Sequence, residues 1–393
     1  MSVMDFFQIC SQVKYTNDDF VKLMNLIYDE NDLNKMAGMV GFRRLMSTKY
    51  QPTQHIIDAN LLPTFLGYLE RKDVPRFQFE ALWILTNVAS GHEDYCQALL
   101  NKGAIPLFIQ LCMDPENTIE VKNQAIWALG NIGGDEAFRN TLIAADTVKV
   151  ICSLMLQADP DSQFLRNCIW TVANLARGHP PLSLDEIQQV LPIANQILNT
   201  CQMTEVLTDT LWAISYITDI GKDIIPFVIE TGVTERVVSL MQHDSVGTAI
   251  PALRTIGNFV TGTDEETDFV VKQGALEKLA ILMNHQDQLV RKETCWTISN
   301  LCASSFQHIK QIIELGIIDK LIELSQTDSI DVQRECIWSL SNATALRNVD
   351  IQRVLVEKGI IQCLSTWLKK NDSKSLVVIL EALVNILIVG QQN

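Results

Sequence analysis

Residues 271–304 read VKQGALEKLAILMNHQDQLVRKETCWTISNLCAS. Apolar side chains on either side of the polar stretch Asn284–Gln288 recur at three- and four-residue intervals, the period of a helix with one buried face. The segment therefore reads as a helix, a short turn, and a second helix ending near Ser299–Ala303. Gly274 precedes the first of these and suits a residue at positive φ, which lets one helix stop and the next begin at once. With a shorter helix before that glycine, the unit holds three helices.

The same unit recurs along the chain. Trp83, Trp127, Trp170 and Trp212 follow one another at 44, 43 and 42 residues, Trp296 comes 84 residues later, and Trp338 a further 42. The vacancy is filled by Arg254, while Trp367 falls outside the register. Four residues past each position stand Asn87, Asn131, Asn174, Tyr216, Asn258, Asn300 and Asn342. Gly103, Gly232, Gly274, Gly316 and Gly359 repeat in step with them. A helical hairpin of this size cannot cover its own apolar faces, so consecutive units must stack into one core. The expected fold is all-α: one solenoid of stacked helical units over residues 13–389, with flanks at 1–12 and 390–393. Its units run 13–48, 49–90, 91–133, 134–177, 178–219, 220–261, 262–303, 304–345 and 346–389, and strand content should be negligible.

Composition narrows the function classes. Lys and Arg number 31 against 46 Asp and Glu, a net charge of −15, which argues against nucleic acid or an anionic membrane as the main partner. No run of eighteen uncharged apolar residues suggests a membrane span, and MSVMDFFQICSQVK has no basic region followed by a clean apolar core. The cysteines (10, 96, 112, 152, 168, 201, 295, 302, 336 and 363) form no CxxC pair and read as small apolar residues in a reducing compartment. The histidines (55, 92, 179, 243, 285 and 308) make no HExxH or Cys/His cluster, and the glycines after Asn131 follow a helix instead of linking strand to helix. No enzyme, metal, cofactor or small-molecule substrate is expected.

The Trp-x-x-x-Asn spacing places both side chains on one helix face. A lone tryptophan is ordinarily core, but an asparagine recurring one turn beyond it is poor for a helix and costly if buried alone. Stacked in register, the pairs predict two parallel stripes on a concave surface. Asn amides there could grip an extended peptide backbone, and the slots between indoles could hold the stems of Lys or Arg, with cation–π attraction for the charge. Acids near the slots would select cations: Asp135, Glu205, Asp209, Glu293 and Glu335 are the candidates. Tyr216 and Arg254 interrupt the stripes, leaving one stretch at Trp83, Trp127 and Trp170 and another at Trp296 and Trp338. Arg254 is expected to repel a basic peptide or pair with its carboxylates.

FEALWILTNVASG (79–91), NQAIWALGNIGGD (123–135), WTVANLARG (170–178), DTLWAISYITD (209–219), IPALRTIGNFVTG (250–262), RKETCWTISNLCAS (291–304) and RECIWSLSNATA (334–345) resemble, in order, the motifs of importin alpha (karyopherin alpha), the armadillo-repeat adaptor for classical nuclear localisation signals. The resemblance covers roughly residues 18–390 and implies a right-handed superhelical armadillo-repeat solenoid (an alpha-alpha superhelix). It implies a major signal site of Trp83, Asn87, Trp127, Asn131, Trp170 and Asn174, with Asp135 pairing the most selective lysine, the Gly91 carbonyl assisting, and Gln124 beside the groove. Glu205 and Asp209 would serve neighbouring basic side chains. It implies a minor site of Arg254, Asn258, Glu293, Trp296, Asn300, Glu335, Trp338 and Asn342, with Arg177, Trp212 and Tyr216 as further groove residues. A monopartite signal would take the major site and a bipartite signal both.

The implied partners are basic signal peptides of cargo proteins and importin beta, with an export receptor and nucleoporins for the full-length protein, and shuttling between cytoplasm and nucleus. Members of the family usually begin with an Arg/Lys-rich importin-beta-binding segment and continue into a tenth repeat and an acidic tail. Residues 1–35 carry only Lys14, Lys22 and Lys35, and the chain ends at Gln392 and Asn393. The expectation is a trimmed core, with a naturally shortened paralogue as the alternative. An import-independent scaffold or chaperone for basic protein tails is the rival function.

Overall fold

The computed structural model describes residues 16–49, 51–370 and 372–391; Cys10 and the flank at 1–12 lie outside them. Among the described residues there is no β-strand. The chain divides into two compact units, one up to Ile193 and one from Ala194. The first holds α1 (Asn17–Ile27), α2 (Asp32–Met46), α3 (Thr53–Asp58), α4 (Leu62–Tyr68), α5 (Pro75–Ala89), α6 (Glu93–Asn101), α7 (Ala104–Met113), α8 (Ile119–Gly133), α9 (Glu136–Ala144), α10 (Thr147–Met155) and α11 (Gln163–Ala176). The division falls within α12 (Leu184–Thr200). The second unit continues with α13 (Thr204–Thr218), α14 (Ile225–Glu230), α15 (Thr234–Leu240), α16 (Val246–Phe259), α17 (Asp264–Lys272), α18 (Ala275–Leu282), α19 (Gln288–Cys302), α20 (Phe306–Glu314), α21 (Ile317–Thr327), α22 (Ile330–Thr344), α23 (Val349–Glu357), α24 (Ile360–Leu368) and α25 (Ser373–Gln391).

The breaks within each repeat have a conformational cause. Gly103, Gly232, Gly274, Gly316 and Gly359 have φ between 73° and 93°, the left-handed region that stops the first helix of a repeat. Asn60 (φ 50°) and Asp146 (φ 56°) do the same work in two repeats without the glycine, using the side chains that best tolerate that region. Residues 178–219 depart from the three-helix pattern. No residue in 184–200 takes positive φ, so α12 runs unbroken for 17 residues, with Pro192 inside it. Side-chain caps set the starts of the third helices: Thr118 accepts from Val121 N, Ser162 from Leu165 N, and Asp287 from Leu289 N and Val290 N.

The third helices stack directly. In the first unit α2 packs on α5, α5 on α8 and α8 on α11; in the second, α13, α16, α19, α22 and α25 pack in that order. Phe42, Phe65, Phe77, Phe108 and Phe259 are among the largest side chains fully removed from water. Buried hydroxyls one residue past the tryptophan register tie neighbours: Thr171 donates to Ile126 O (3.2 Å), Thr297 to Leu253 O (3.2 Å) and Ser339 to Cys295 O (3.0 Å). Ion pairs join repeats at their rims. Arg291 reaches both oxygens of Asp328 (2.6 and 2.8 Å), and Arg334 reaches Asp372 (2.8 Å). Trp367, out of register, is a core residue whose Nε1 donates to Ser325 O (2.8 Å).

Helix α25 exceeds what the sequence pattern suggested. An 18-residue window of its 19 residues has a mean hydropathy of 1.9, long and apolar enough to cross a membrane by that measure alone, despite Lys374 and Glu381. Its inner face (Val378, Ile379, Ala382, Ile386) is buried, and Val378 O accepts from Ser341 Oγ of α22 (2.9 Å). It is packed as the last helix of the stack.

Candidate binding site

The asparagines explain why the tryptophans are in register. Asn131 Nδ2 donates to Thr86 O (3.0 Å) and Asn174 Nδ2 to Gly130 O (3.0 Å). In the second unit, Asn258 donates to Ser215 O, Asn300 to Gly257 O and Asn342 to Ser299 O, each at 3.0 Å. The acceptor is always the carbonyl three residues past the preceding tryptophan-register position. Thr86 O, Gly130 O and Ser215 O already accept from Ser90 N, Gly134 N and Asp219 N, so the amide takes the second lone pair of a carbonyl and ties one repeat to the next. Asn87 instead bonds Trp83 O of its own helix (3.0 Å). These amides were expected to present both donors and acceptor to a ligand. In fact a donor of each is engaged, leaving Oδ1 to accept. Asn258 is buried and bonds Thr218 Oγ1 as well (3.0 Å), so it does not face outward.

Small residues complete the device. Gly130 lies against the Trp170 ring, where a Cβ would come within 2.8 Å of Cε3, and Gly257 lies likewise under Trp296. Trp170 and Trp296 are thus seated on the backbone of the preceding ladder helix. Trp83, Trp170, Trp212 and Trp296 are half-buried, whereas Trp127 and Trp338 are 40% and 43% exposed. Trp212 is covered on one face by Tyr216, which stacks at 5.5 Å and 23°. A tyrosine at the amide position therefore closes that rung.

In the first unit, Gly91, Asn131, Gly134, Asp135, Trp170, Asn174 and Arg177 line one open cavity of about 630 Å³. Asp135 is half-buried and caps α9, accepting from Ala137 N (3.0 Å). Arg139, buried beneath it, donates to the carbonyls of Gly133, Gly134, Arg177 and His179, holding the cavity wall together. Gly91 is in the turn after α5, where a Cβ would strike Tyr95. Gln124, expected beside the groove, is buried with its Oε1 unpartnered, because it points from α8 into the stack. Glu205 (exposed) and Asp209 (half-buried) belong to α13 of the second unit.

In the second unit, Arg254 and Glu293 bond each other: Nε–Oε2 is 2.8 Å and Nη2–Oε1 is 3.3 Å. Arg254 also lies over the Trp296 ring, 5.6 Å from its centroid. Neither is a free charge, contrary to the expectation of a repulsive arginine and an available acid. The reason is spacing: Glu293 sits one turn before Trp296, beside the rung that Arg254 fills. Glu335 differs. No cation comes within ion-pair distance of it among the described residues, and burial pushes its carboxyl above the usual range, opposed by nearby Lys292. It lines a cavity of about 460 Å³ with Lys292, Asp331, Arg334, Trp338 and Lys374.

The pair Arg43–Glu80 escaped the sequence reading. Glu80, three residues before Trp83, is fully buried, with Arg43 Nε at 2.5 Å from Oε2, and Arg43 sits 4.8 Å from the Trp83 centroid. Arg76 Nη2 approaches Oε1 to 2.5 Å as an ion pair without hydrogen-bond alignment. The signal available was a glutamate at the Glu293 and Glu335 offset. His308 also gathers partners that sequence spacing did not announce: Ser305 Oγ (2.9 Å) and Asp268 Oδ1 (2.7 Å). Its ring is 1% exposed and Ser305 caps α20, so the trio ties helices together. Among the described residues, no three His, Cys, Asp or Glu side chains are placed to hold a metal ion.

Comparison with known proteins follows the same lines. The Armadillo/beta-catenin-like repeat model matches residues 263–303 and 305–345, and a HEAT-like repeat model matches 75–132. An engineered protein of known crystal structure superposes with a TM-score of 0.84 over 94% of this chain and 88% of its own, at 23% identity, which establishes the all-α armadillo-type fold. Importin subunit alpha-1b of Oryza sativa subsp. japonica is 37% identical over 246 residues, 62% of this chain and 46% of that protein. Importin subunit alpha-2 of Arabidopsis thaliana is 39% identical over 220 residues, 56% and 41% respectively. The chain spans less than half the length of these curated relatives. The chain has the all-α armadillo-type fold and is similar in sequence to importin alpha subunits.

Proposed function

We propose that this protein is a nuclear import adaptor that holds Lys/Arg-rich nuclear localisation signals as extended peptides along its tryptophan rows. The observation that carries this is the repeated sharing of one cavity by an indole and an acid: Trp170 with Asp135, and Trp338 with Glu335. A lysine stem lying against an indole keeps its apolar contact while its ammonium reaches the carboxylate. Asn131, Asn174, Asn300 and Asn342, each fixed by its inter-repeat bond, offer Oδ1 to a peptide N–H without reading side chains. The net charge of −15 favours approach of a basic segment. In this reading a monopartite signal uses Trp83, Trp127 and Trp170, with Gly91 and Asp135. A second basic cluster would use Trp296, Trp338 and Glu335. Similarity to importin alpha subunits supports the same role, with bridging to importin beta and shuttling between cytoplasm and nucleus as parts of the proposal.

The test is titration of a fluorescent lysine-rich signal peptide into the wild type and Asp135→Ser. Serine keeps the α9 cap and removes only the charge. A large loss of affinity at unchanged stability is expected.

A further inference from the structure

Two of the rungs already hold a basic side chain, and it is the protein's own. Over Trp83 lies Arg43, paired to Glu80; over Trp296 lies Arg254, paired to Glu293. In both, the carboxylate stands three residues before the indole, so the pair forms one pocket with an aromatic wall and an acid end. The same offset holds at Glu335 and Trp338, where the arginine lining the cavity, Arg334, pairs with Asp372 instead of the glutamate. The protein thus displays internally how such a pocket grips a cation.

We propose that Arg43 is the resident occupant of a basic-side-chain pocket built from Glu80 and Trp83, and that it ends the first unit's binding row at Trp83. The inference rests on the basic-peptide reading above. Three features support it. Glu80 is fully buried, which is costly for a carboxylate unless a cation meets it, so the pocket is built for charge. Arg43 is anchored from α2, a helix without a ladder tryptophan, so it covers the row from its end. Its side chain is 19% exposed and can be deleted without opening the core behind Phe42 and Phe65. Arg43 therefore restricts how many consecutive lysines the row accepts and, with it, the register of the bound peptide.

The experiment compares two fluorescein-labelled peptides at physiological salt: four lysines flanked by Gly-Ser, and six lysines in the same flanks. Wild type should prefer the longer peptide by no more than about threefold, the statistical gain of added registers. Arg43→Ala should raise that preference by roughly tenfold, the worth of one cation over an indole beside a carboxylate. The double variant Arg43→Ala/Glu80→Gln restores the wild-type net charge while leaving the slot open, and should return to the wild-type preference. An unchanged preference in Arg43→Ala overturns the proposal. If wild type binds neither peptide, the basic-peptide reading fails and the register claim falls with it. A second readout addresses the pocket alone: millimolar ethylguanidinium should raise the melting temperature, or restore the helical signal, of Arg43→Ala and not of the double variant. No rescue would mean that no cation pocket exists there.

Discussion

Replacing Gly257 by alanine tests whether the indoles are seated on the neighbouring backbone. A Cβ on Gly257 would lie 2.8 and 2.9 Å from Trp296 Cε3 and Cη2, and closer still to Cζ3, where ordinary contact begins near 3.4 Å. Two effects oppose each other. Alanine within α16 gains about 0.5–1 kcal/mol of helix preference over glycine. The overlap must be relieved by moving a rigid bicyclic ring, and overpacking of this kind costs about 1–3 kcal/mol. If the ring instead pushes α19 away, the Asn300–Gly257 bond at 3.0 Å is lost, costing about 0.5–1.5 kcal/mol. After the helix gain is subtracted, the expected net is a destabilisation of up to about 2.5 kcal/mol, a fall of up to several degrees in melting temperature for a unit of this size. Gly67→Ala is the matched control: a Cβ there meets nothing within 4 Å, so only the helix gain of about 0.5–1 kcal/mol should appear. Thermal melts by circular dichroism read both, and tryptophan emission should shift only in Gly257→Ala. If Gly257→Ala melts at or above wild type with an unchanged spectrum, the seating argument is wrong.

Two further outcomes follow from the charges. Burial raises the Glu335 carboxyl above its usual range, so its folded value lies above its unfolded one; the stability tied to its protonated form is present at low pH and lost as pH rises through that window. Glu335→Gln should therefore melt no lower than wild type at pH 7 while binding a lysine-rich peptide more weakly; a lower melt with intact affinity would contradict this. Asp372 is the opposite case, since its bonds to Arg334 and then Ser375 lower it to about 2, and its stabilisation, complete at neutral pH, is lost as pH falls toward that value. Asp372→Asn should lower the melting temperature at pH 7 by an amount that shrinks toward pH 2, and a gap that persists there would rule out the ion pair as its source.

Much of this was legible because solenoids write their geometry as a period. The 42-residue register of Trp296 and Trp338 and the glycines at 274 and 316 set the helix order, since left-handed backbone has few tolerant residues. Where the tolerant residue was Asn60 or Asp146, the break was hidden, and where none existed, α12 ran on. Partners were harder to see. Asn174 bonds a carbonyl 44 residues away, and nothing in its own segment says that the amide's donor is already engaged. Asp135 was visible as an acid after a ladder helix, but its capping bond belongs to the helix that follows. Arg43 sits in a repeat whose ladder helix carries no tryptophan, so the pattern that exposed the other rungs passed over it.

The most direct measurement is the affinity of one lysine-rich signal peptide for wild type and for Asp135→Ser, with melts recorded on both. Serine and aspartate cap helices about equally, within a few tenths of a kcal/mol, so the melting temperatures should agree. Losing a charge-assisted bond to a lysine should weaken binding about tenfold or more. Equal affinities at equal stability would contradict the assignment of the Asp135 cavity as the lysine-selecting site.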